Sequence, residues 1–198
     1  IGVNGSGKTT LLKLIVGFYQ PDKGAVFYNN QPLRKVLKQI KQDMGFTTQE
    51  SSFYPKLTVM ENIKYFGSLY GLDRHQIAVN MQRILALVEL EDAANMLAEH
   101  LSGGMQRRLD MACSLIHNPK ILILDEPTED LDPLLRKDIV RLIKKVNSLG
   151  TTVIITSHLL DDIENLCSRI AILHNKKISK IGSINDLRES YNKKEELH

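Results

Sequence analysis

Apolar positions recur along this chain with two different periods, and the change of period divides it. A helix-like run from Thr10 to Val16 ends at Gly17 and the Pro21-Asp22-Lys23-Gly24 turn. Residues 24–28 then read as a strand closed by Asn29-Asn30, a short amphipathic helix spans about Leu33 to Ile40, and Met44–Thr47 reads as a buried strand ending at Gln49. From residue 50 to about 117 the period is helical throughout. Thr58-x-x-Glu61 is a capping box for a helix with Ile63, Phe66 and Tyr70 on one face, stopped by Gly71. Asp73-x-x-Gln76 caps the next, whose stripe is Ile77, Met81, Ile84, Leu85 and Val88, and Ser102 caps a third that runs to about His117. Strands return after Pro119. Ile121–Leu124 is apolar at every position, as in a parallel sheet covered on both faces. Asp132-Pro133 opens a helix to Leu149 that Gly150 closes, and Thr151–Thr156 is a further buried strand. A helix from about Leu159, a hairpin of 169–173 with 177–181, a short helix capped at Ser183 and a charged tail complete the pattern. The prediction is an α/β fold in which 1–49 and 118–198 build one lobe around a parallel sheet and 50–117 form an inserted helical lobe.

Length and composition narrow the class. A chain of 198 residues buries a sizeable core without staples. Cys113 and Cys167 lack metal-ligand spacing and read as buried reduced thiols of a cytosolic protein. The longest apolar runs fall far short of the ~20 residues that a bilayer span requires, so no direct membrane span is expected. The net charge is +3 with acids interleaved among the lysines, and Lys176-Lys177 reads as a hairpin tip, so no nucleic-acid partner is expected. Ile1 reads as the last residue of a buried strand, which makes the sequence look like a chain lacking its natural N-terminus.

The chemistry starts at the first residues. Gly2-Val3-Asn4-Gly5-Ser6-Gly7-Lys8-Thr9 fits GxxxxGK[ST], with Thr10 following. Successive backbone N–H groups of such a loop, with the helix that begins near Lys8, cradle phosphates. Lys8 would reach the β- and γ-phosphates and the Thr9 hydroxyl would ligate a Mg²⁺ bridging them. The apolar strand ends in Asp125-Glu126, at the carboxyl edge where open α/β sheets place ligands. Asp125 would hold the Mg²⁺ and Glu126 would polarise a water for attack. Gln49, also at a strand end, offers an amide oxygen to the same metal, although a lone glutamine there is more often a surface loop residue. His158 stands at the end of the last buried strand, where it would donate to a γ-phosphate oxygen; the other five histidines (His75, His100, His117, His174, His198) lack such a context. Ser102-Gly103-Gly104 exposes backbone N–H groups at a helix start, a second anion site that is hard to place on the same phosphate chain. The aromatics Phe53, Tyr54, Tyr65, Phe66 and Tyr70 read either as a groove for a partner helix or as core; Phe66 is expected in the core, and Phe53 and Tyr54 stay open.

In this order and spacing the motifs resemble the ATPase cassette of the ATP-binding cassette (ABC) superfamily, over nearly the whole chain. GVNGSGKTT is similar to Walker A, Gln49 to the Q-loop, LSGGMQ to the signature, ILILDE to Walker B, Leu131-Asp132 to the D-loop and His158 to the switch histidine. The resemblance implies a P-loop NTPase with a RecA-like parallel sheet and an inserted helical lobe carrying the signature. It implies ATP and Mg²⁺ as ligands, with Thr9, Gln49 and Asp125 on the metal, Lys8, Glu126 and His158 catalytic, and Ser102, Gly103, Gly104, Gln106 and Asp132 completing the nucleotide site. The second anion site is explained if two cassettes, identical or different, pair head to tail so that Ser102–Gly104 of one closes over the Walker A loop of the other. A transmembrane permease subunit would dock near 49–70, placing the protein in the cytoplasm, peripheral on that face of the membrane. Residues 51–72 look most like exporter-type cassettes of the multidrug or ABC-2 class. Val3 and Thr48 stand where proline is frequent and Asp130 where glycine is usual. The alternatives are a soluble ABC ATPase acting on nucleic acid or ribosomes, and a binding module in which ATP drives dimerisation alone.

Overall fold

In chain order the elements are α1 (Lys8–Ile15), β1 (Phe27–Tyr28), β2 (Gln31–Pro32), α2 (Leu33–Asp43), β3 (Met44–Thr47), α3 (Val59–Leu69), α4 (Arg74–Val88), a 3₁₀ turn (Ala98–His100), α5 (Gly103–Leu115), β4 (Ile121–Asp125), α6 (Pro133–Ser148), β5 (Thr152–Thr156), α7 (Leu160–Leu166), β6 (Ile170–His174) and β7 (Lys177–Gly182). The structure, a computed structural model, describes residues 1–187, the side chain of Asp161 excepted. The charged tail of the sequence reading lies outside the described residues.

β4 organises the packing because both of its faces are covered. It is the centre of a parallel sheet of order β3-β4-β5, with Met44 opposite Ile121 on one side and Asp125 opposite Thr156 on the other. Side chains alternate across a strand, and here the alternation separates two cores. Leu122 and Leu124, with Val153 and Ile155 of β5, pack among Ile63, Ile84, Leu109, Ile116 and Ile139. Ile123 packs with Leu12 of α1, Ile40 of α2 and Met44. The helices of 50–117 thus share one continuous core with β4 and α6. Gly45 in β3 lets α5 approach the sheet: a Cβ there would come within 2.3 Å of the Ser114 carbonyl.

The helix starts follow their side chains. Thr58 with Glu61, and Asp73 with Gln76, form reciprocal capping boxes; Ser102 accepts from Met105 N–H, and Asp132 from the N–H groups of Leu134 and Leu135, with Pro133 in the first turn. Buried Asn62 braces the approach to α3: Oδ1 accepts from Tyr54 N–H, and Nδ2 donates to the carbonyls of Tyr54, Leu57 and Thr58.

The expected strand 24–28 is closed by Asn29 and Asn30, both at left-handed φ (48° and 61°), but it shrinks to Phe27–Tyr28 because its partner β2 has only Gln31 and Pro32 to pair with before α2 begins at Leu33. The amphipathic helix runs past Ile40 to Asp43, and α5 ends at Leu115, two residues before His117. His117 instead stacks on Tyr70, ring centroids 3.5 Å apart, with Nε2 3.2 Å from the Met44 carbonyl; burial lowers its pKa to about 4. The aromatic cluster divides: Phe53 is in the core with Phe66 and Tyr70 packed against it, while Tyr54 and Tyr65 are exposed with their hydroxyls 3.3 Å apart. Cys113 is buried and Cys167 half-buried, both as free thiols.

Candidate functional site

The loop before α1 is shaped by two left-handed glycines, Gly5 (φ 77°) and Gly7 (φ 103°), and by a Ser6 N–H bond to the Val3 carbonyl of 3.1 Å. Gly7 occupies the N-cap of α1 without a side-chain cap, so the helix's first N–H groups are left to an external acceptor. The loop is held from outside by β6, since Ile1 donates its N-terminal amine to Ala171 O (2.8 Å) and accepts from Leu173 N–H (2.8 Å). A Cβ on Gly2 would lie 2.5 Å from the Leu173 carbonyl, so that contact requires glycine.

Lys8 turns back into this loop. Its Nζ donates to Gly2 O (2.6 Å) and Val3 O (3.2 Å) and pairs with Glu126 Oε1 at 3.1 Å, both side chains being more than nine-tenths buried. The other carboxylate oxygen, Oε2, is 3.1 Å from His158 Nδ1. Glu126 sits just beyond β4 at φ 49°, a left-handed conformation that costs a glutamate of the order of 1 kcal/mol. Thr156, at the end of β5, pins both acids: its Oγ1 donates to Asp125 Oδ1 (2.5 Å) and accepts from Glu126 N–H (3.1 Å). Asp125 is fully buried, and among the described residues its Oδ2 has no hydrogen-bond partner.

That buried carboxylate oxygen is the observation against which a metal is tested. An unpartnered anionic oxygen beside a phosphate-binding loop suits a hard cation such as Mg²⁺, which takes one or two protein oxygens and completes its shell with phosphate and water. Thr9, the second residue of α1, and Gln49, two residues beyond β3, come from elements that flank β4. Gln49 donates from Nε2 to Glu129 Oε2 (2.6 Å), and Arg107 donates to the main-chain carbonyls of Gln49 (3.1 Å) and Thr48 (3.4 Å).

Among the described hydrogen bonds the remaining sequence-derived residues put no side chain into this cluster, and Val3 enters it only through its carbonyl on Lys8 Nζ. Val3, Asn4 and Thr10 are exposed. Ser102 and Gly103 are exposed at the start of α5, while Gly104 is buried where a Cβ would meet the Leu135 side chain at 2.8 Å. Gln106 donates to Leu101 O (3.2 Å) and Ala98 O (3.4 Å), so its amide nitrogen braces the loop ahead of α5. Asp132 is engaged in capping α6. Among the described hydrogen bonds and ion pairs none joins Ser102–Gln106 or Asp132 to Lys8, Asp125 or Glu126. Asp130 adopts φ 59°, the left-handed geometry that glycine takes without penalty.

Three residues without a role in the sequence analysis bond directly to site residues, Thr156, Arg107 and Glu129, and a fourth, Asp110, holds the chain just after Gln49. Thr156 carried a signal, as the last apolar-strand residue before Ser157-His158. Asp110 accepts from Ser52 N–H (2.8 Å), and its burial raises the carboxyl pKa to about 6. Arg107 and Glu129 carried none, since both are ordinary charged residues until the fold brings them to Gln49.

Residues 1–129 match the sequence model of the family described as ABC transporter. The chain is 37% identical over 187 residues to the linearmycin resistance ATP-binding protein LnrL of Bacillus subtilis, covering 94% of this chain and 60% of that protein. It is 36% identical over 173 residues to the Nod factor export ATP-binding protein I of Cupriavidus metallidurans, covering 87% of this chain and 57% of the relative. It therefore spans well under two thirds of the length of these relatives. Its fold is similar to that of a dimeric ATP-binding cassette in a post-hydrolysis state bound to ADP and Pi, with a TM-score of 0.80, 28% identity and coverage of 92% of this chain and 83% of that one.

Proposed function

The chain belongs to the ABC transporter family, and from that premise we propose that it is the ATP-binding part of a transporter, hydrolysing Mg·ATP between two head-to-tail cassettes to drive export through separate membrane subunits. One observation carries the reading: Lys8, Glu126 and His158 form a single chain of contacts, and the neighbouring Asp125 has an oxygen without a hydrogen-bond partner among the described residues.

In this reading Asp125 Oδ2, the Thr9 hydroxyl and the Gln49 amide oxygen hold Mg²⁺, which neutralises phosphate charge when bound. Residues Gly2 to Thr10 wrap the phosphates, with backbone N–H groups and the start of α1 facing them. Lys8 exchanges its bond to Glu126 for one to phosphate oxygens. That exchange releases Glu126 Oε1 to accept a proton from water, and the base becomes available only when the loop is filled. His158 keeps hold of Oε2 or turns to the γ-phosphate. Ser102, Gly103 and Gly104 act on the nucleotide of a second cassette, as the exposure of Ser102 and Gly103 and the lack of described bonds from all three to this chain's own Lys8 cluster support; Gln106 and Asp132 shape the loops that present that face. We assign 1–49 and 118–198 to the nucleotide-binding lobe and 50–117 to the lobe that moves the signature.

The exposed pair Tyr54–Tyr65 lies within 49–70, the stretch to which we assign contact with a permease subunit. No helix among the described residues is long and apolar enough to cross a membrane. The family supports a place on the cytoplasmic face beside such a subunit, and the relative named for Nod factor export supports the outward direction. Titration with a fluorescent ATP analogue tests the site: wild type binds in Mg²⁺, Lys8→Ala loses binding, and Glu126→Gln binds but does not hydrolyse. Undiminished affinity in Lys8→Ala overturns the assignment.

A further inference from the structure

Gln49 is held at two points by groups outside its own loop. Arg107, on α5, fixes the main chain through the carbonyls of Thr48 and Gln49. Glu129, four residues beyond Asp125, takes the side-chain amide at 2.6 Å, a charge-assisted bond. A carboxylate only accepts, so the end of the amide that faces Glu129 is the NH₂, and the end left over is Oε1. A glutamine amide is nearly symmetric in shape, and without such a partner it presents either end with little preference. Presenting the NH₂ to a cation is repulsive, whereas presenting Oε1 makes a ligand.

We propose that Glu129 is a positioning residue for the metal site: by accepting from Gln49 Nε2 it selects the amide orientation in which Oε1 is free for the divalent cation of Mg·ATP. The inference rests on the ATP-binding reading above and goes beyond it, since it gives Glu129 a role toward the Gln49 side chain, which it contacts directly. The same carboxylate ties the loop after Asp125 to Gln49, while Arg107 ties α5 to it, so the glutamine is set by two elements that approach from different sides.

The test is the Mg²⁺ concentration that half-saturates the Mg²⁺-dependent rise in affinity for a fluorescent ATP analogue, measured in wild type, Glu129→Ala, Gln49→Ala and the double variant. Affinity in EDTA serves as the metal-free baseline. Because the bond is solvent-exposed, its net worth is that of an ordinary hydrogen bond, about a three- to tenfold rise in that concentration for Glu129→Ala, with the EDTA baseline unchanged. Gln49→Ala produces a comparable rise, and adding Glu129→Ala to it produces none. Two results overturn the proposal: no change in Glu129→Ala, or the same change in the Gln49→Ala background, which would make Glu129 a charge acting through space. A wild type that binds no nucleotide overturns the functional reading and this inference with it. Normal wild-type binding with an indifferent Glu129→Ala overturns this inference alone.

Discussion

Lys8 Nζ lies 3.1 Å from Glu126 Oε1, with less than a tenth of either side chain exposed. The lysine assigned to phosphate binding and the acid assigned to water activation are therefore paired with one another across the site. A buried charge deprived of its partner is expensive, about 3–5 kcal/mol when one side of such a pair is removed. Lys8→Met should therefore destabilise the protein by several times more than the double variant Lys8→Met/Glu126→Gln, as read by urea denaturation. Equal losses in the two would mean that Glu126 finds another partner.

Thr156 deserves the next variant because it holds both acids with one hydroxyl. Thr156→Val keeps the shape of β5 but leaves Asp125 Oδ1 and Glu126 N–H unpaired in a buried place. The expected loss is about 1–3 kcal/mol of stability, and with the acids no longer pinned the ATPase rate falls by more than nucleotide affinity does. Denaturant melts and steady-state kinetics on the same sample check both halves.

Two buried groups give opposed pH dependences. Burial raises Asp110 from 3.8 to about 6, so folding favours its protonated form, and the stability this contributes is present below pH 3.8 and lost as pH rises through about 6. Burial lowers His117 from 6.5 to about 4, so its contribution is present above pH 6.5 and lost as pH falls through about 4. Asp110→Asn removes the first and keeps the acceptor for Ser52 N–H. Its stability should rise more steeply with pH between about 4 and 6 than that of wild type. Parallel curves for the two proteins would show that Asp110 does not titrate in this window.

The parts of the fold legible in the sequence were those set by local chemistry. Each capped helix start at Thr58, Asp73, Ser102 and Asp132 was written in one or two side chains, and Ile121–Leu124 announced a strand covered on both faces by having no polar position. The closing turn at Asn29-Asn30 was legible, but the shortness of β1 was hidden, because it is set by a partner strand that ends at Pro32 where α2 begins. At the site, the phosphate loop and the acids at the end of β4 were legible because close approach of backbone to phosphate restricts residue type at fixed spacing. That Lys8, Glu126 and His158 would meet at one phosphate was expected from their places at the loop and the strand ends, but their direct contacts with one another depend on β4 and β5 being neighbours in register, Asp125 opposite Thr156. Arg107 and Glu129 were illegible for a plainer reason: a charged side chain half-exposed on a helix or loop has no sequence mark that distinguishes a bond to Gln49 from a bond to water.

In the proposed shared site, the exposed Ser102-Gly103 helix start of one copy closes over the Lys8 loop of another. Light scattering of Glu126→Gln with and without Mg·ATP is the decisive experiment, since blocked hydrolysis traps the closed pair. The expected result is a shift from monomer to dimer on adding Mg·ATP, and its loss when Ser102→Arg is added. A monomer under both conditions, or a dimer that Ser102→Arg leaves intact, would contradict it.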